Sequence, residues 1–493
     1  MNISIRNLSF TYDGGLEPVF SNMSVELDTC WRLGLVGRNG RGKTTLLRLL
    51  AGEYAHEGAI DMPLRPAYFP YEGIDPGQPT LSVMERAAED EPTWRLTKEA
   101  ALLMLGADTL DRPFATLSKG EQTKALLCAL FARRDVYPLI DEPTNHLDMH
   151  GRELVAAYLQ KKDGFLLVSH DRAFLNQCVD HVLSINKTAF QVLQGNYDVW
   201  EEQFDRQNEY ERKRNESLKK EAARLTESAR KAAQWSRRTE KEKFHVAESQ
   251  TAAPDRGYMG ARSAAMMKRS LNTVRRRERA LEETKSLLKN VEQTGELKLR
   301  KLTHPKRELA SVENGLVRYG ERTVCEHIRF AVRQGDRVAL TGQNGSGKSS
   351  VLKTLCGLSD ALTGDVRLAS GLVVSYVPQE TDALRGSLRA FLQANDLDET
   401  LFKAILRNMD FSRELFDMDM AAYSQGQKKK ALLAAGLCKP AHLYVWDEPL
   451  NYIDVLSRRQ VEELILTFQP TLLLVEHDRR FLERVCNREE IRL

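Results

Sequence analysis

The sequence predicts an α/β fold: two tandem phosphate-loop domains joined by a long antiparallel α-helical hairpin. Two observations carry this. Four motifs occur twice in the same order, and a charge-rich stretch almost free of glycine separates the two copies. Self-similarity at this scale marks repeated domains, and it precedes any finer reading. GRNGRGKT (Gly37 to Thr44) recurs as GQNGSGKS (Gly342 to Ser349). LSKGEQTK from Leu117 recurs as YSQGQKKK from Tyr423, LIDEPTNHLD from Leu139 as VWDEPLNYID from Val445, and LLVSHDRAFL from Leu166 as LLVEHDRRFL from Leu473. The spacings repeat as well. Lys43 to Ser118 is 118 − 43 = 75 residues and Lys348 to Ser424 is 424 − 348 = 76; Ser118 to Asp141 and Ser424 to Asp447 are both 23. The expected domains are 1–200, 201–306 and 307–493, in line with about 150 residues per domain.

Each glycine-rich motif follows a short apolar run (Arg32 to Val36; Arg337 to Leu340) and precedes a helix-forming one (Thr45 to Leu50; Ser350 to Leu355). Strand, loop and helix is the context a phosphate-binding loop requires. Asp141 and Asp447 end apolar runs, as residues at the carboxyl end of a core strand do. The expected sheets are therefore mainly parallel.

Composition excludes several classes. Hydrophobic residues are 42% and charged residues 29%, an ordinary globular balance. The seven cysteines (30, 128, 178, 325, 356, 438, 486) are scattered and form no CxxC pair, so neither a disulfide framework nor a zinc site is expected. MNISIRNLSF reads as a strand, not as a secretory signal. No apolar run approaches the ~18 residues that cross a bilayer.

The chemistry follows from the loop residues. Backbone N–H groups of GxxxxGK[ST] turn inward onto phosphate oxygens, and the following helix aims its positive end at the same anion. The expected cradles are Gly37, Asn39, Gly40, Gly42, Lys43, Thr44 and Thr45 in the first copy, and Gly342, Asn344, Gly345, Gly347, Lys348, Ser349 and Ser350 in the second. Lys43 and Lys348 would neutralise β- and γ-phosphates, while Thr44 and Ser349 would place a hydroxyl on Mg²⁺. Asp141 and Asp447 would hold the metal's hydration shell. Glu142 and Glu448, next in sequence, would take a proton from the attacking water. His170 and His477 follow another apolar strand, placed to contact the γ-phosphate or orient that water.

Together these residues resemble the ATP-binding cassette family. LSKGEQ and YSQGQ look like its signature motif. The resemblance implies that Ser118 and Gly120 cap ATP bound on Lys348, and that Ser424 and Gly426 cap ATP bound on Lys43. One chain would then form an intramolecular cassette dimer, working as a monomer with two composite sites. It also implies adenine stacking on Tyr12 and Tyr319 and a magnesium- and water-contacting role for Gln379. The first copy has Tyr71 where the second has Gln379, so the site on Lys43 is expected to be the less regular and slower one. Lys119 and Gln425 stand where the family commonly has glycine.

Residues 201–306 carry 27 Lys/Arg and 17 Asp/Glu, or 27 − 17 = +10, which leaves 3 − 10 = −7 for the remainder. Phe204 to Phe244 contains no glycine or proline. From Arg262 to Val291, Met267, Leu271, Val274, Leu281 and Leu288 step by 4, 3, 7 and 7, a heptad seam. Pro254, Gly257 and Gly260 end helices between the two arms. Forty helical residues project roughly 60 Å. Phe244, His245, Tyr258, Met259, Arg262, Lys268 and Arg269 near the tip combine cations with stacking and apolar groups, a combination suited to RNA.

A tandem cassette chain with this insert resembles the ABC-F group. The implied partners are the ribosome, its large-subunit RNA and exit- or P-site tRNA, with no DNA and no membrane, in the cytoplasm. Phe-Pro-Tyr, WDEPLNYID, VEHD and DRGYMGARSAAMMKRS resemble the branch that protects ribosomes against lincosamides, streptogramin A and pleuromutilins. A housekeeping translation factor of the same group, the ATPase subunit of an exporter and a DNA-repair cassette ATPase remain as alternatives.

Overall fold

The computed structural model of the chain describes residues 1–14, 18–89, 91–185, 190–211, 300–320, 322–382, 384–409 and 411–493. It also describes Lys213, Arg214, Glu216, Ser217, Lys220, Ala223, Arg224 and Glu227. The chain divides into two compact units, one formed by Met1–Trp200 with Thr294–Leu493, the other by Glu201–Gln293.

The first repeat has β1 (Asn2–Phe10), β2 (Phe20–Asp28), β3 (Arg32–Val36), β4 (Glu57–Asp61), β5 (Arg65–Phe69), β6 (Val136–Asp141), β7 (Phe165–Val168), β8 (His181–Ile185) and β9 (Phe190–Gln194). The second has β10 (Glu308–Tyr319), β11 (Arg322–Arg333), β12 (Arg337–Thr341), β13 (Leu362–Leu368), β14 (Val374–Val377), β15 (Leu443–Asp447), β16 (Leu472–Val475) and β17 (Ile491–Arg492). The central sheets run β5-β6-β7-β3-β8-β9 and β14-β15-β16-β12-β17. All neighbours in them are parallel except β8 and β9. Their inner strands, such as Phe165–Val168 and Leu472–Val475, are buried at every position, the apolar pattern of strands covered on both faces.

The sheets are more mixed than the sequence suggested. Each repeat adds an antiparallel three-stranded sheet, β2-β1-β4 or β11-β10-β13. The reason lies in β1 and β10, whose apolar residues alternate instead of running on. Ile3, Ile5, Leu8 and Phe10 face inward, and the register slips between Ile5 and Leu8 and again between Leu8 and Phe10. Asn7 sits at the first slip at φ 52, and Asn314 at φ 50 marks the same slip between Val312 and Gly315. Such a bulge keeps later apolar residues on the core face.

The helix Lys43–Leu50 lies between the two sheets of its repeat. Leu46, Leu47, Leu49 and Leu50 pack with Ile3, Ile5 and Leu8 of one sheet and with Leu139 and Leu166 of the other. Val351, Leu352 and Leu355 of helix Lys348–Leu355 do the same with Val312, Val317 and Leu473. Each fully buried leucine contributes roughly 1.5–3 kcal/mol relative to an exposed one. These helices are thus fixed where their first turns meet the strand ends. In the second repeat, helices Leu388–Ala394 and Glu399–Asn408 pack on helix Gln425–Cys438 through Leu392, Phe402, Leu406, Leu433 and Leu437.

In the other unit, the described residues from Glu201 to Glu227 are helical, with exposed i,i+4 pairs Glu202–Arg206 and Glu209–Lys213. The expected tip residues Phe244, His245, Tyr258, Met259, Arg262, Lys268 and Arg269 lie outside the described residues. All seven cysteines are free thiols. Among the described residues no helix is long and apolar enough to cross a membrane.

Candidate functional site

Each phosphate loop leaves its central strand and enters a helix through a left-handed glycine. Gly42 has φ 87 and caps the helix that begins at Lys43. A Cβ there would meet Val19 Cγ1 at 2.6 Å and Phe20 Cζ at 2.7 Å, so both backbone and space exclude a side chain. Gly347 caps the second helix at φ 91. Gly40 and Gly345 are left-handed too. The two lysines fold back over their loops. Lys43 Nζ donates to Gly37 O at 2.8 Å, to Arg38 O at 3.3 Å and to Asn39 Oδ1 at 3.3 Å. Lys348 Nζ donates to Gly342 O at 3.0 Å and Gln343 O at 2.7 Å. Burial lowers the pKa of both, and the carboxylates of Glu142 and Glu448 oppose that shift. Only neutral oxygens hold these cations, so an entering polyphosphate supplies the stronger, charged acceptor.

Thr44 Oγ1 donates to Asp141 Oδ2 at 2.7 Å, and Ser349 Oγ donates to Asp447 Oδ1 at 3.0 Å. Two tyrosines to which the sequence reading gave no role complete these pairs. Tyr68 Oη donates to Asp141 Oδ2 at 3.2 Å and Tyr376 Oη to Asp447 Oδ2 at 3.4 Å. Both open the Tyr-x-Pro motif shared by the repeats, and that recurrence was the available signal. Burial pushes both aspartates up, while the hydroxyls of Thr44 and Ser349 pull them down. Asp141 Oδ1 is buried and accepts no hydrogen bond from a described residue. A hydroxyl beside a carboxylate fits Mg²⁺, which keeps waters and substrate phosphates as its other ligands, and at Asp141 one carboxylate oxygen is open as well. Thr44 with Asp141, and Ser349 with Asp447, would hold it. When bound, it neutralises charge on the phosphate oxygens.

Glu142 and Glu448 occupy left-handed backbone, φ 51 and φ 44, which non-glycine residues adopt at a cost of order 1–3 kcal/mol. Their N–H groups are held by Val168 O at 2.9 Å and Val475 O at 3.0 Å. His170 Nε2 lies 3.2 Å from Glu142 Oε1, and His477 Nε2 lies 3.5 Å from Glu448 Oε1. Burial holds the His170 imidazole well below its usual pKa, hence neutral. Beyond this the glutamates differ. Glu448 Oε2 accepts from Gln379 Nε2 at 2.6 Å and Asn451 Nδ2 at 2.7 Å. Burial alone would raise it, but His477, Asn451 and Gln379 bring it down to about 2. Among the described residues, Glu142 has only the His170 N–H, at 3.3 Å, on its Oε2. Burial and neighbouring Asp141 push it up to about 7. Tyr71 faces Arg133 and Glu89 instead, and burial raises its hydroxyl.

The tyrosines expected at adenine are 44% and 56% exposed, open to a planar ligand. Tyr12 Oη bonds to Thr45 Oγ1 at 2.7 Å, and Tyr319 Oη bonds to Ser350 Oγ, so each is anchored to its loop helix. Ser118 and Ser424 cap the helices Lys119–Ala132 and Gln425–Cys438, each within a capping box closed by Glu121 or Gln427. Gly120 follows Ser118 in the first turn of its helix, against His146 O.

The two repeats meet across these elements. Asn39 Nδ2 donates to Tyr452 O at 2.8 Å, and Asn344 Nδ2 donates to His146 O at 3.2 Å. A Cβ on Gly426 would lie 2.5 Å from Tyr452 O and 2.6 Å from Asn39 Nδ2. The signature helix of the second repeat thus touches the phosphate loop of the first. Asp454, Lys430 and Arg458 lie near enough to shift Lys43 or His170. Asp454 accepts from Lys430 at 3.1 Å, with burial opposed by that cation. Asp148 and Asp454 closed the third repeated motif, but their reach across the interface was not visible from spacing.

A family profile described as ABC transporter matches residues 20–145 and again 325–451. The chain is 30% identical to ATP-binding protein Uup of Caulobacter vibrioides, over 96% of this chain and 74% of that one. It is 27% identical to ribosome protection protein VmlR of Bacillus subtilis, over 98% and 85%. Among solved structures an RNase-L Inhibitor superposes with a TM-score of 0.62 at 19% identity, over 98% and 87%. That last likeness concerns the fold alone; it is the doubled profile and the likeness to Uup along the chain that assign the family. The chain belongs to the ABC transporter family of ATP-binding proteins and is an ATPase.

Proposed function

We propose that this ATPase acts on the ribosome as a member of the ABC-F group and relieves inhibition by drugs at the peptidyl transferase centre. The observation that carries the reading is the contact between the Asn39 loop and the Gly426 helix, which makes nucleotide binding an event between two halves of one chain. A linked insert of charge +10 gives that event a basic partner-binding element. One relative bears the name ribosome protection protein, and the likeness to it covers 98% of this chain.

In this mechanism Lys43 and Lys348 orient the polyphosphates, and Ser424 and Ser118 cap them from the opposite repeat. Tyr12 and Tyr319 seat the adenines. Gln379 and His477 hold Glu448, and His170 holds Glu142, against the attacking water, from which each glutamate takes a proton. Closure of the halves sets the angle of the hairpin at the tRNA exit site. The tip, with Phe244, His245, Tyr258, Met259, Arg262, Lys268 and Arg269, meets large-subunit RNA or tRNA, and the drug leaves. Hydrolysis reopens the halves.

Glu142→Gln with Glu448→Gln should abolish turnover and leave the protein co-sedimenting with ribosomes in ATP. Wild type should raise the inhibitory concentration of a pleuromutilin in a sensitive host. Cycling of the double variant at the wild-type rate sinks the mechanism. An unchanged inhibitory concentration with intact ribosome binding favours a translation factor without a drug role.

A further inference from the structure

The fourth repeated motif places Arg172 and Arg479 at equivalent positions, two residues after His170 and His477. The structure uses them differently. The Arg172 side chain is 4% exposed; its Nη2 donates to Glu462 Oε1 and lies 3.7 Å from Asp478 Oδ2. The side chains of Glu462 and Asp478 are fully buried. Arg479 is 63% exposed and, among the described residues, pairs with Glu153 of the first repeat at 3.7 Å and with Glu483 on its own helix. The asymmetry has a sequence cause. Glu462 stands eight positions after the helix cap Asp454 (462 − 454), and the same step from Asp148 leads to Ala156, buried and without an acceptor.

The cluster is otherwise complete. Glu462 also accepts from Arg484 Nη1 at 3.1 Å, and Asp478 from Arg458 Nη1 at 2.9 Å. Removing Arg172 therefore leaves neither carboxylate alone, which limits the penalty of stranding a buried charge. What Arg172 adds is a tie between the repeats. It opens the helix capped by Asp171, which Arg152 Nη1 holds at 2.8 Å. His170, beside Glu142, is next along the chain.

We propose that Arg172 is a positioning residue for the ATP site on Lys43. By clasping Glu462 and Asp478 of the second repeat, it makes the placement of His170 against Glu142 depend on where that repeat sits. On the His477 side the ties across the repeats are solvent-exposed ones, Arg479 to Glu153 at 3.7 Å and Arg480 to Asp198, and among the described residues none is buried like that of Arg172. This rests on the reading of two composite ATP sites, one per catalytic glutamate.

The test isolates the sites. In a Glu448→Gln background, where the Glu142 site alone turns over, Arg172→Ala should lower kcat about tenfold with little change in KM, as misplacement of a catalytic group does. In a Glu142→Gln background the same change should alter kcat less than about twofold. Arg172→Lys keeps the charge in the cluster and should fall between; it carries the comparison if the alanine variant does not fold. Equal losses in both backgrounds, a loss confined to the Glu142→Gln background, or no loss in either overturns the inference. Residual turnover in the Glu142→Gln, Glu448→Gln double variant would instead indict the assignment of the two sites.

Discussion

The two repeats share a fold and a motif order, yet they surround their glutamates differently. Glu448 is gripped by Gln379, Asn451 and His477, whereas Glu142 has His170 alone and Tyr71 has turned toward Arg133. A general base works best when it is held in one place and its pKa lies near the working pH. The second repeat meets the first demand within itself, whereas Glu142, pushed up to about 7, is the better matched in pKa. The first borrows order from its partner, through Asn39 on Tyr452 and Arg172 on Glu462. Duplication preserved the phosphate chemistry and let the supporting contacts diverge.

The largest expected effect tests that difference directly. Glu448→Gln should remove most of the steady-state ATPase, about tenfold or more beyond the loss from Glu142→Gln, because the better-held base does more of the turnover. Equal losses, measured by phosphate release under saturating ATP, would erase the functional contrast.

A second effect concerns Lys429, fully buried beneath Pro378 O at 2.9 Å. The equivalent in the first repeat is Thr123, by the shared offset of five from Ser118 and Ser424. Burial lowers the Lys429 pKa from 10.5 to about 8. Between those values the unfolded chain binds more protons than the folded one, so stability rises with pH across that window. Lys429→Met should abolish this component. Relative to the variant, the wild type should gain roughly 3 kcal/mol from pH 8 to pH 10.5, followed by denaturant melts at each pH. Parallel pH curves for the two proteins would show that the ammonium is solvated.

The smallest change is meant to sharpen the contrast. Tyr71→Gln, made in the Glu448→Gln background, should raise turnover at the Lys43 site by about two- to fivefold by giving Glu142 a carboxamide donor. No gain would locate the deficit elsewhere.

Much of this was legible before any coordinates. The repeated strings located both phosphate loops, both carboxylate pairs and both signature serines, because local chemistry at fixed spacing is written into contiguous residues. The serines cap helices as their residue type favours. Contacts between distant segments were not legible. Tyr68 on Asp141 joins residues 73 apart in sequence, and Arg172 on Glu462 joins residues 290 apart. Neither leaves a periodic trace. The antiparallel sheets were missed for another reason. Motif spacing reports the nucleotide-binding strands, while β1 and β10 show themselves only through alternation interrupted at Asn7 and Asn314.

The one-sided clasp of Arg172 also bears on how such a chain could be taken apart. Two copies of residues 1–200 would bring two guanidinium groups to a surface where Ala156 receives neither. Two copies of 307–493 would set Arg479, the equivalent arginine, against each Glu462 instead. The first half is therefore the one ill suited to pair with itself, and a separately expressed 1–200 should prefer 307–493 over a second copy of its own.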